Sequence, residues 1–372
     1  MEKGITYVGI DVDRLKLHVA MLVPGARRPM EWEVNPDEAD VRRMVRKVIK
    51  EASRDVAFCY EAGPAGYALA RQLEGMGVRC AVIAPSLTPR KPGDRVKTDR
   101  RDAKKLAELF RAGLLTEVWP PTPAQESVRD LCRCLEDVKQ DLMRHRHRAG
   151  KFLLRRGYVY RDGRAWTQKH DVWLRSLPLT HPADTVVLGN YLLAIAEAET
   201  RLGEIEAEIR QYAQAPEYSE RVGWLRCFYG VDIITAMTLL TEIHGVERFS
   251  SPRRLMAYIG LVPSEKSSGD RTRRSRITKT GNGHLRRILI ECAHHYRHAP
   301  GVGKTLKARR AGQPGWAIAL ADRAHQRLHR RYKRMIFRGK PYGKTIVAVA
   351  RELAGFVWAM LNRPETSTAQ AA

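Results

Sequence analysis

The sequence has 372 residues, enough for two or three domains with cores of their own, and carries a formal net charge of +25. This charge exceeds what solubility requires and indicates a polyanionic partner. No apolar run is long enough to span a bilayer, and the sequence shows no pattern of a signal peptide or of an amphipathic or lipid anchor, so we expect no membrane partner. The six cysteines are scattered without a zinc-binding spacing, which predicts reduced thiols in the cytoplasm.

Residues 5 to 113 alternate between strand-like and helix-like patterns. The apolar runs ITYVGIDV, KLHVAMLV, VAFCYEA and RCAVIAP predict strands, and PMEWEVN alternates as an exposed strand does. Helices are expected at about 37–52, in GYALARQLEGMG, and in TDRRDAKKLAELFRAG, which begins near Thr98 or Asp99 and ends at Gly113. The order β-β-β-α-β-α-β-α predicts a mixed sheet with helices on both faces and polar strand ends along one edge.

A second region follows the linker WPPTPAQ. Apolar residues recur at spacings of three and four from Val128 to Phe152, and again from Leu188 to Ile209. Two long helices with heptad-like seams predict an antiparallel coiled-coil hairpin or a dimerising stalk. The segment 158–185 between them, with Trp166, Trp173 and several prolines, is expected to be irregular.

The last region is strongly basic. From Glu265 to Arg351 it holds 23 Lys and Arg against four Asp and Glu. Its beginning, CFYGVDIITAMTLLTEIHGVERF, has a glycine turn before an apolar helix and resembles a helix-hairpin-helix, whose turn amides commonly meet a phosphate. Towards its end, Tyr332, Phe337 and Tyr342 lie among cations, a mixture that suits backbone contacts with occasional base stacking. The final NRPETSTAQAA predicts a disordered tail.

Four carboxylates stand where a metal site could form. Asp11 and Glu61 end apolar strands, and Asp99 and Asp102 lie three residues apart on one helix face. Oxygen ligands suit Mg²⁺ or Mn²⁺, and two such ions roughly 3.5 to 4 Å apart support phosphodiester cleavage. A carboxylate that ends a buried strand is costly without a partner, which favours this interpretation.

Each acid also has a structural alternative. Asp99 fits a helix cap, and Asp102 could pair with Arg101 or Lys105. Two further motifs do not indicate sites. APGVGKT, residues 299–305, lacks the first glycine of a phosphate loop because position 298 is histidine, and HHYRH, residues 294–298, suits a basic helix near nucleic acid better than a metal cluster.

Taken together, these motifs carry a resemblance to a known family. GIDV, EAGP and KTDRRDAKKLAEL, then YGVDIITAMTLLTEI, RFSSPRRLMAYIGLVPSEKSSG and RITKTGNGHLRR, resemble the transposases of the insertion-sequence 110 family, which includes the Piv-type DNA invertases. The resemblance covers roughly residues 4–113 and 222–350. The motifs in this joint order are specific, whereas any one of them alone is not.

The resemblance implies a fold, a site and partners. It implies an RNase H-like (RuvC-like) domain at 1–115 and a basic, mostly helical, serine-bearing domain at 222–362. The residue patterns add a helical coiled-coil spacer at 122–215, expected to dimerise, and the tail 363–372, so the expected fold class is α/β plus all-α. Asp11, Glu61, Asp99 and Asp102 would be the family's DEDD set, holding two Mg²⁺ or Mn²⁺ ions. Ser268, ahead of Gly269, matches the family's nucleophilic serine, although Ser267 stands beside it.

The implied activity is DNA recombination in a bacterial or archaeal cytoplasm, near the nucleoid. The acids and Ser268 would form one composite site that cuts and rejoins DNA through a phosphoserine bond, while an element-encoded bridge RNA pairs with donor and target DNA. A dimer or tetramer is expected. The cations expected to hold phosphates are Lys97, Arg271, Arg273, Arg274, Arg276, Lys279, Arg286 and Arg287.

Other functions fit parts of the same pattern. A Ser-Gly pair beside arginines is also common in loops that touch phosphate through backbone amides. A Holliday-junction endonuclease of the same fold would hydrolyse DNA with water and need no serine, and a DNA invertase would need no guide RNA. A non-catalytic nucleic-acid scaffold would not depend on Asp11 or Glu61.

Overall fold

The computed structural model describes residues 4–52, 55–89, 98–268 and 271–363, and the side chains of 266–268 and 271–274 are not described. The chain divides into two compact units, Met1–Pro121 and Thr122–Ala372. Of the predicted tail NRPETSTAQAA, only Asn362 and Arg363 are among the described residues.

The first unit contains a five-stranded mixed sheet. Its elements in chain order are β1 (Thr6–Val12), β2 (Leu17–Leu22), β3 (Met30–Val34), α1 (Glu38–Glu51), β4 (Val56–Glu61), α2 (Ala68–Gly75), β5 (Arg79–Ile83), a 3₁₀ turn at Pro85–Leu87 and α3 (Asp99–Arg111). The strand order is β3-β2-β1-β4-β5, with the first three strands antiparallel to their neighbours and β1, β4 and β5 parallel. The predicted mixed sheet is confirmed, and its topology is consistent with an RNase H-like fold.

The two faces of this sheet pack against different helices. Val8, Ile10, Phe58 and Tyr60 point to the face covered by α1 and α2, where they form the larger core. Side chains one position along each strand point the other way, and there Cys59 packs against Leu106 of α3. Helices therefore cover both faces, as the sequence predicts.

A long helical pair opens the second unit. Helices α4 (Pro123–Leu154) and α6 (Pro182–Tyr212) pack antiparallel, and their cores join residues of the two sequence seams: Val128, Cys132 and Leu135 with Ile209, Leu142 and Ala149 with Ile195 and Ala198, and Phe152 with Leu188. The cross-pair Arg146–Glu199, at 2.7 Å, has the same register. The segment between them is not entirely irregular, since it contains helix α5 (Gln168–Arg175) with a buried His170.

The rest of the second unit is a helical core with one hairpin. It comprises α7 (Pro216–Leu225), α8 (Ile233–Ile243), α9 (Pro252–Tyr258), β6 (Pro263–Ser268), β7 (Arg271–Ile277), α10 (Gly283–Ala293), α11 (Lys304–Arg310), α12 (Gly315–Phe337) and α13 (Tyr342–Leu361), with 3₁₀ turns at Val246–Arg248 and His294–Arg297. Within the described residues, no helix is both long and apolar enough to cross a bilayer. All six cysteines are free, and five of them are buried.

Candidate active site

Two of the predicted acids end neighbouring parallel strands. Ile10 of β1 is the register partner of Tyr60 of β4, so Asp11 and Glu61 follow at the same level, on strands about 4.8 Å apart. By the alternation along each strand, both acids lie on the face of Gly9 and Cys59, the face that α3 covers. The sheet therefore brings Asp11 and Glu61 side by side at one edge.

Helix α3 contributes the other two acids to the same face. Thr98 caps the helix, its side chain accepting a hydrogen bond from the backbone NH of Arg101, and Asp99 and Asp102 lie in the first turn. A Cβ atom on Gly9 would lie only 2.3 Å from the backbone oxygen of Ala103 and 2.5 Å from the backbone nitrogen of Ala107. Glycine at this position is what lets α3 lie directly on β1, and so sets how close its acids come to Asp11.

The acids make specific contacts at this edge. The hydroxyl of Thr88 donates to Oε1 of Glu61 at 2.9 Å, and Oδ2 of Asp99, an exposed carboxylate, lies 3.6 Å from Nε2 of His18. Among the described residues, no three His, Cys, Asp or Glu side chains stand close enough together to form a ready ligand group. The donors are nevertheless all carboxylate oxygens on one face, a chemistry that fits Mg²⁺ or Mn²⁺.

His18 is a residue of this edge that the sequence analysis missed. It is the register partner of Asp11 across the β1–β2 pair and lies on the same face, mostly shielded from solvent. Its Nδ1 atom lies 3.8 Å from Glu33, so the ring stands between Asp99 and Glu33. The hairpin register was the available signal, because it pairs His18 with Asp11 directly.

The predicted nucleophile lies on the hairpin of the second unit. Ser268 ends β6 with Arg271 as its register partner, and Ser267 is opposite Thr272. The side chains of both serines, of Arg271, Arg273 and Arg274, and all of Gly269 and Lys97 lie outside the described residues. Of the remaining predicted phosphate contacts, Arg276 and Lys279 are exposed.

A tight glycine packing fixes the base of this hairpin. Cβ atoms on Gly260 and Gly281, both with positive φ, would lie 2.2 Å from the backbone oxygen of Thr280 and 1.9 Å from that of Tyr258. Between them, Lys279 adopts a left-handed conformation with φ of 56°, which is uncommon for a residue with a side chain. The segment after β7 is therefore held in one conformation.

A buried carboxylate, Glu242 of α8, holds the segment that follows β7 through a contact with Asn282. It accepts hydrogen bonds from Nε and Nη2 of Arg133 at 2.6 and 3.0 Å and from Nδ2 of Asn282 at 2.7 Å. Asn282 in turn caps α10 by accepting from the NH of Leu285. Burial alone would raise the pKa of Glu242, but Arg133 and Asn282 outweigh it and hold this pKa below its usual value.

A second carboxylate, Glu136 of α4, holds the start of α10. Its oxygens contact Nδ1 of His284 at 2.7 Å and the guanidinium of Arg287. Burial again opposes ionisation, but hydrogen bonds from Arg287 and His284 outweigh it and lower the pKa of Glu136. Arg287 also pairs with Glu291, and Arg286 donates to the backbone oxygen of Ile259 at 2.8 Å. Arg286 and Arg287 thus already have protein partners, and their predicted phosphate contacts stay predictions.

Comparisons with known proteins match this chain to transposases. Residues 8–156 match the transposase model DEDD_Tnp_IS110, and residues 224–308 match the model described as the transposase IS116/IS110/IS902 family. "Putative transposase y4qE" of Sinorhizobium fredii is 40% identical over 364 residues, which cover 97% of this chain and 90% of that protein. The transposase for insertion sequence element IS1533 of Leptospira borgpetersenii is 34% identical over 338 residues, 90% of this chain and 97% of that protein.

A more distant relative extends the same relationship. The transposase for insertion sequence element IS1111A of Coxiella burnetii is 27% identical over 306 residues, covering 80% of this chain and 75% of that protein. A DEDD transposase domain implies the use of divalent metal ions. Because the matches span both units and nearly the whole length of two relatives, the chain belongs to the IS116/IS110/IS902 family of transposases, enzymes that cut and join DNA.

Proposed function

We propose that this transposase recombines DNA with one composite site, formed by the carboxylates Asp11, Glu61, Asp99 and Asp102 and by the hydroxyl of Ser268. The observation that carries the proposal is the placement of the acids on one sheet face, two at the ends of neighbouring strands and two in the first turn of α3. Such a set of carboxylates repels itself unless cations are bound.

The four acids would hold the divalent cations, two Mg²⁺ or Mn²⁺ ions. When bound, these ions supply activation of an oxygen nucleophile and neutralisation of charge on the phosphate. His18 positions the carboxylate of Asp99 from the side of β2. Thr88 does the same for Glu61 by donating to one of its oxygens, which leaves the second oxygen for a ligand.

Ser268 would provide the attacking oxygen. Its Oγ forms a bond to the DNA phosphorus and gives up its proton, while the bond to one DNA oxygen breaks and that oxygen takes up a proton. The reverse reaction with a different strand end rejoins DNA, and no nucleotide cofactor is needed because the phosphodiester energy is kept in the phosphoserine. The surrounding arginines, Arg271, Arg273, Arg274 and Arg276, would hold the flanking phosphates together with Lys279 and Lys97.

Sequence choice would be delegated to a structured guide RNA that pairs with donor and target DNA. The support is indirect: the chain has a large basic excess but no direct base-reading motif, a combination that suits recognition by base pairing. Recombination involves two duplexes, so a dimer or tetramer would carry the reaction. Purifying the protein from cells and sequencing the bound nucleic acid tests this step, and recovery of DNA alone would contradict it.

The serine step is tested with end-labelled DNA. Wild-type protein should form a covalent protein–DNA adduct that resists denaturant, Ser268→Ala should form none, and the matched control Ser267→Ala should keep it. A free phosphate end without an adduct would instead support hydrolysis by water, the resolving-endonuclease alternative. Adduct formation by Ser268→Ala, or unchanged recombination by that variant, would exclude Ser268 as the nucleophile.

A further inference from the structure

A highly exposed aromatic ring lies at the turn between α12 and α13. Phe337, the last residue of α12, is 93% exposed, whereas the next most exposed large apolar side chain of the described residues, Leu15, is 73% exposed. Ile336 and Tyr342 beside it are 39% and 43% exposed. We call residues 334–342 the α12–α13 tip. Transfer of an exposed phenyl ring out of water is favourable, so this ring can contribute binding energy to a partner.

The α12–α13 tip is rigid. The NH of Lys340 bonds the carbonyl of Met335 at 3.1 Å and the NH of Gly339 bonds that of Ile336 at 2.9 Å, the two bonds of a Schellman motif. Gly339 has φ of 64°, which a glycine adopts without strain, and Pro341 then starts α13. Phe337 is therefore presented from a fixed turn, and ordering it costs little when a partner binds.

The surroundings of the ring are strongly positive. From Arg323 to Lys344 the sequence contains nine Lys and Arg and no Asp or Glu. Arg327 and Arg331 both pair with Glu352, at 3.2 and 2.7 Å, so their charges are partly neutralised within the fold. Of the remaining cations, Arg334, Arg338 and Lys340 lie within the tip, and Arg330, Lys333 and Lys344 lie about one helical turn or less from it, which makes the tip a surface for polyanions.

We propose that Phe337 stacks on an unpaired base of a DNA strand whose phosphates are held by the cations of the α12–α13 tip. A phenyl ring has no donor or acceptor and cannot read base edges, but every base offers it a face. Within a duplex both faces of a base are covered by its neighbours, and exposing one costs a few kcal/mol. An unpaired base pays no such cost, and strand exchange, on which this inference rests, produces unpaired DNA.

The tip thereby acts as a holding site for a displaced strand. A base stacked on a rigid ring is kept from pairing again, while the flanking phosphates remain bound. This role differs from cleavage, because it needs neither the acids nor a metal ion. It also differs from sequence recognition, since stacking tolerates every base.

Binding is measured with the Asp11→Asn protein in EDTA, so that no cleavage intervenes. We expect Phe337→Ala to bind a labelled single-stranded thymidine 20-mer roughly 5- to 100-fold more weakly, as expected for one lost stacking contact. Binding of a blunt 20-base-pair duplex should change less than twofold. Phe337→Trp should restore single-strand binding, whereas Phe337→Leu, apolar but without a π face, should not. Val172→Ala, which trims an exposed apolar residue on α5, is the matched control.

Direct contact is tested with 2-aminopurine in the oligonucleotide, whose fluorescence is quenched when it stacks. Quenching by Asp11→Asn protein that is lost in its Phe337→Ala form supports the proposal. If Phe337→Ala weakened binding of the single strand and of the duplex equally, the proposal would be overturned and the ring would be assigned to duplex contact. If Phe337→Ala left DNA binding unchanged but altered the oligomeric state, the ring would instead be assigned to a protein contact. A single-stranded uridine 20-mer bound better than its DNA counterpart would overturn the choice of DNA. If Ser268→Ala still formed adducts, the proposed serine step would be wrong, but a specific loss of single-strand binding by Phe337→Ala would still support stacking by Phe337.

Discussion

The two units use carboxylates in opposite ways. In the second unit, Glu242 and Glu136 are enclosed by Arg133, Asn282, His284 and Arg287, which satisfy their oxygens and lower their pKa values. In the first unit, Glu61 accepts from a neutral threonine and Asp99 lies near a histidine while still exposed. A carboxylate with a fixed cationic partner stabilises the fold, whereas we propose that the carboxylates at the sheet edge of the first unit hold metal ions.

This contrast distinguishes structural carboxylates from proposed metal-binding carboxylates, which sequence composition alone does not distinguish. The chain has 41 Asp and Glu and 66 Lys and Arg, so most acids have a cation nearby in sequence. Position in the fold decides which acids are neutralised by protein. The following substitutions test that division, since removing a structural carboxylate should cost stability and removing a catalytic one should cost activity alone.

The largest expected effect is that of Asp11→Asn on catalysis. The change keeps the size of the side chain but removes one negative ligand from the edge, and we expect DNA cleavage in Mg²⁺ to fall roughly a thousandfold. Stability and DNA binding should change little. Cleavage is followed with labelled DNA, and binding by fluorescence anisotropy.

Asp13→Asn is the matched control, because Asp13 is an exposed acid just beyond the end of β1. It should cleave like wild type. Equal losses in the two variants would indicate a general charge effect and contradict the assignment of Asp11. Wild-type cleavage that persists in EDTA would contradict a metal site altogether.

The sequence predicted the first unit better than the second, for physical reasons. The strands of the first unit are apolar and bounded by turn residues, so their patterns are local, and parallel pairing then placed Asp11 and Glu61 together. The β6–β7 hairpin was missed because SEKSS and RTRRSR lack apolar alternation. Local pattern likewise missed α5, whose His170 and Trp173 pack into a small aromatic cluster.

The sequence also failed to predict which charged side chains contact one another across the fold. His18 could be found only once the β1–β2 register was known. Glu242 did leave a signal, since it is the one acid in the apolar helix IITAMTLLTEI, but its partners Arg133 and Asn282 are 109 and 40 residues away in sequence. Charged side chains choose partners across the fold, and no local periodicity records that choice.

Gly9→Ala should have the next largest effect, on both stability and activity. The added methyl group would meet the backbone of α3, which cannot move aside as a flexible side chain could. We expect the free energy of unfolding to fall by about 3 kcal/mol and Asp99 and Asp102 to be displaced from the edge. Denaturant titration measures the first effect, and Mg²⁺-dependent cleavage the second.

Gly75→Ala is the control for this change, because a Cβ on Gly75, at the end of α2, has nothing within 4 Å. It should be neutral or slightly stabilising. A Gly9→Ala protein as stable and active as wild type would show that α3 does not need its close approach to β1.

Glu242→Gln compares the two kinds of carboxylate directly. The variant loses the ion pair with Arg133 in a buried site, and we expect unfolding to become about 2 kcal/mol easier. Glu61→Gln removes a charge beside Asp11 and keeps the bond from Thr88, so its stability should be unchanged or slightly higher while cleavage is lost. Chemical denaturation of both proteins at pH 7 provides the measurement, and the opposite ranking would refute the division of roles.

The smallest expected effect concerns His244, which ends α8 beyond Glu242. Burial, then Arg248 and Arg129, lower the pKa of His244 to about 4, although Glu247 and Glu242 oppose them. Between about pH 6.5 and 4 the unfolded chain therefore binds more protons at this residue than the folded one. The free energy of unfolding should decrease as the pH falls through this range, by roughly 1 kcal/mol because the ring is only partly buried.

His244→Asn isolates this contribution, because asparagine tolerates the left-handed conformation that His244 adopts with φ of 36°. Other histidines with lowered pKa, such as His170 and His325, destabilise the fold at low pH in the same way, so only the difference between the two proteins counts. Unfolding titrations from pH 7 to 5 stay above the range in which folded Glu242 is protonated, because its pKa is held below the usual value. The variant should show the shallower decrease. If the free energy of unfolding fell equally with pH in both proteins, His244 would take up its proton equally in the folded and unfolded chains. The carboxylates of Glu247 and Glu242 would then offset burial and the charges of Arg248 and Arg129.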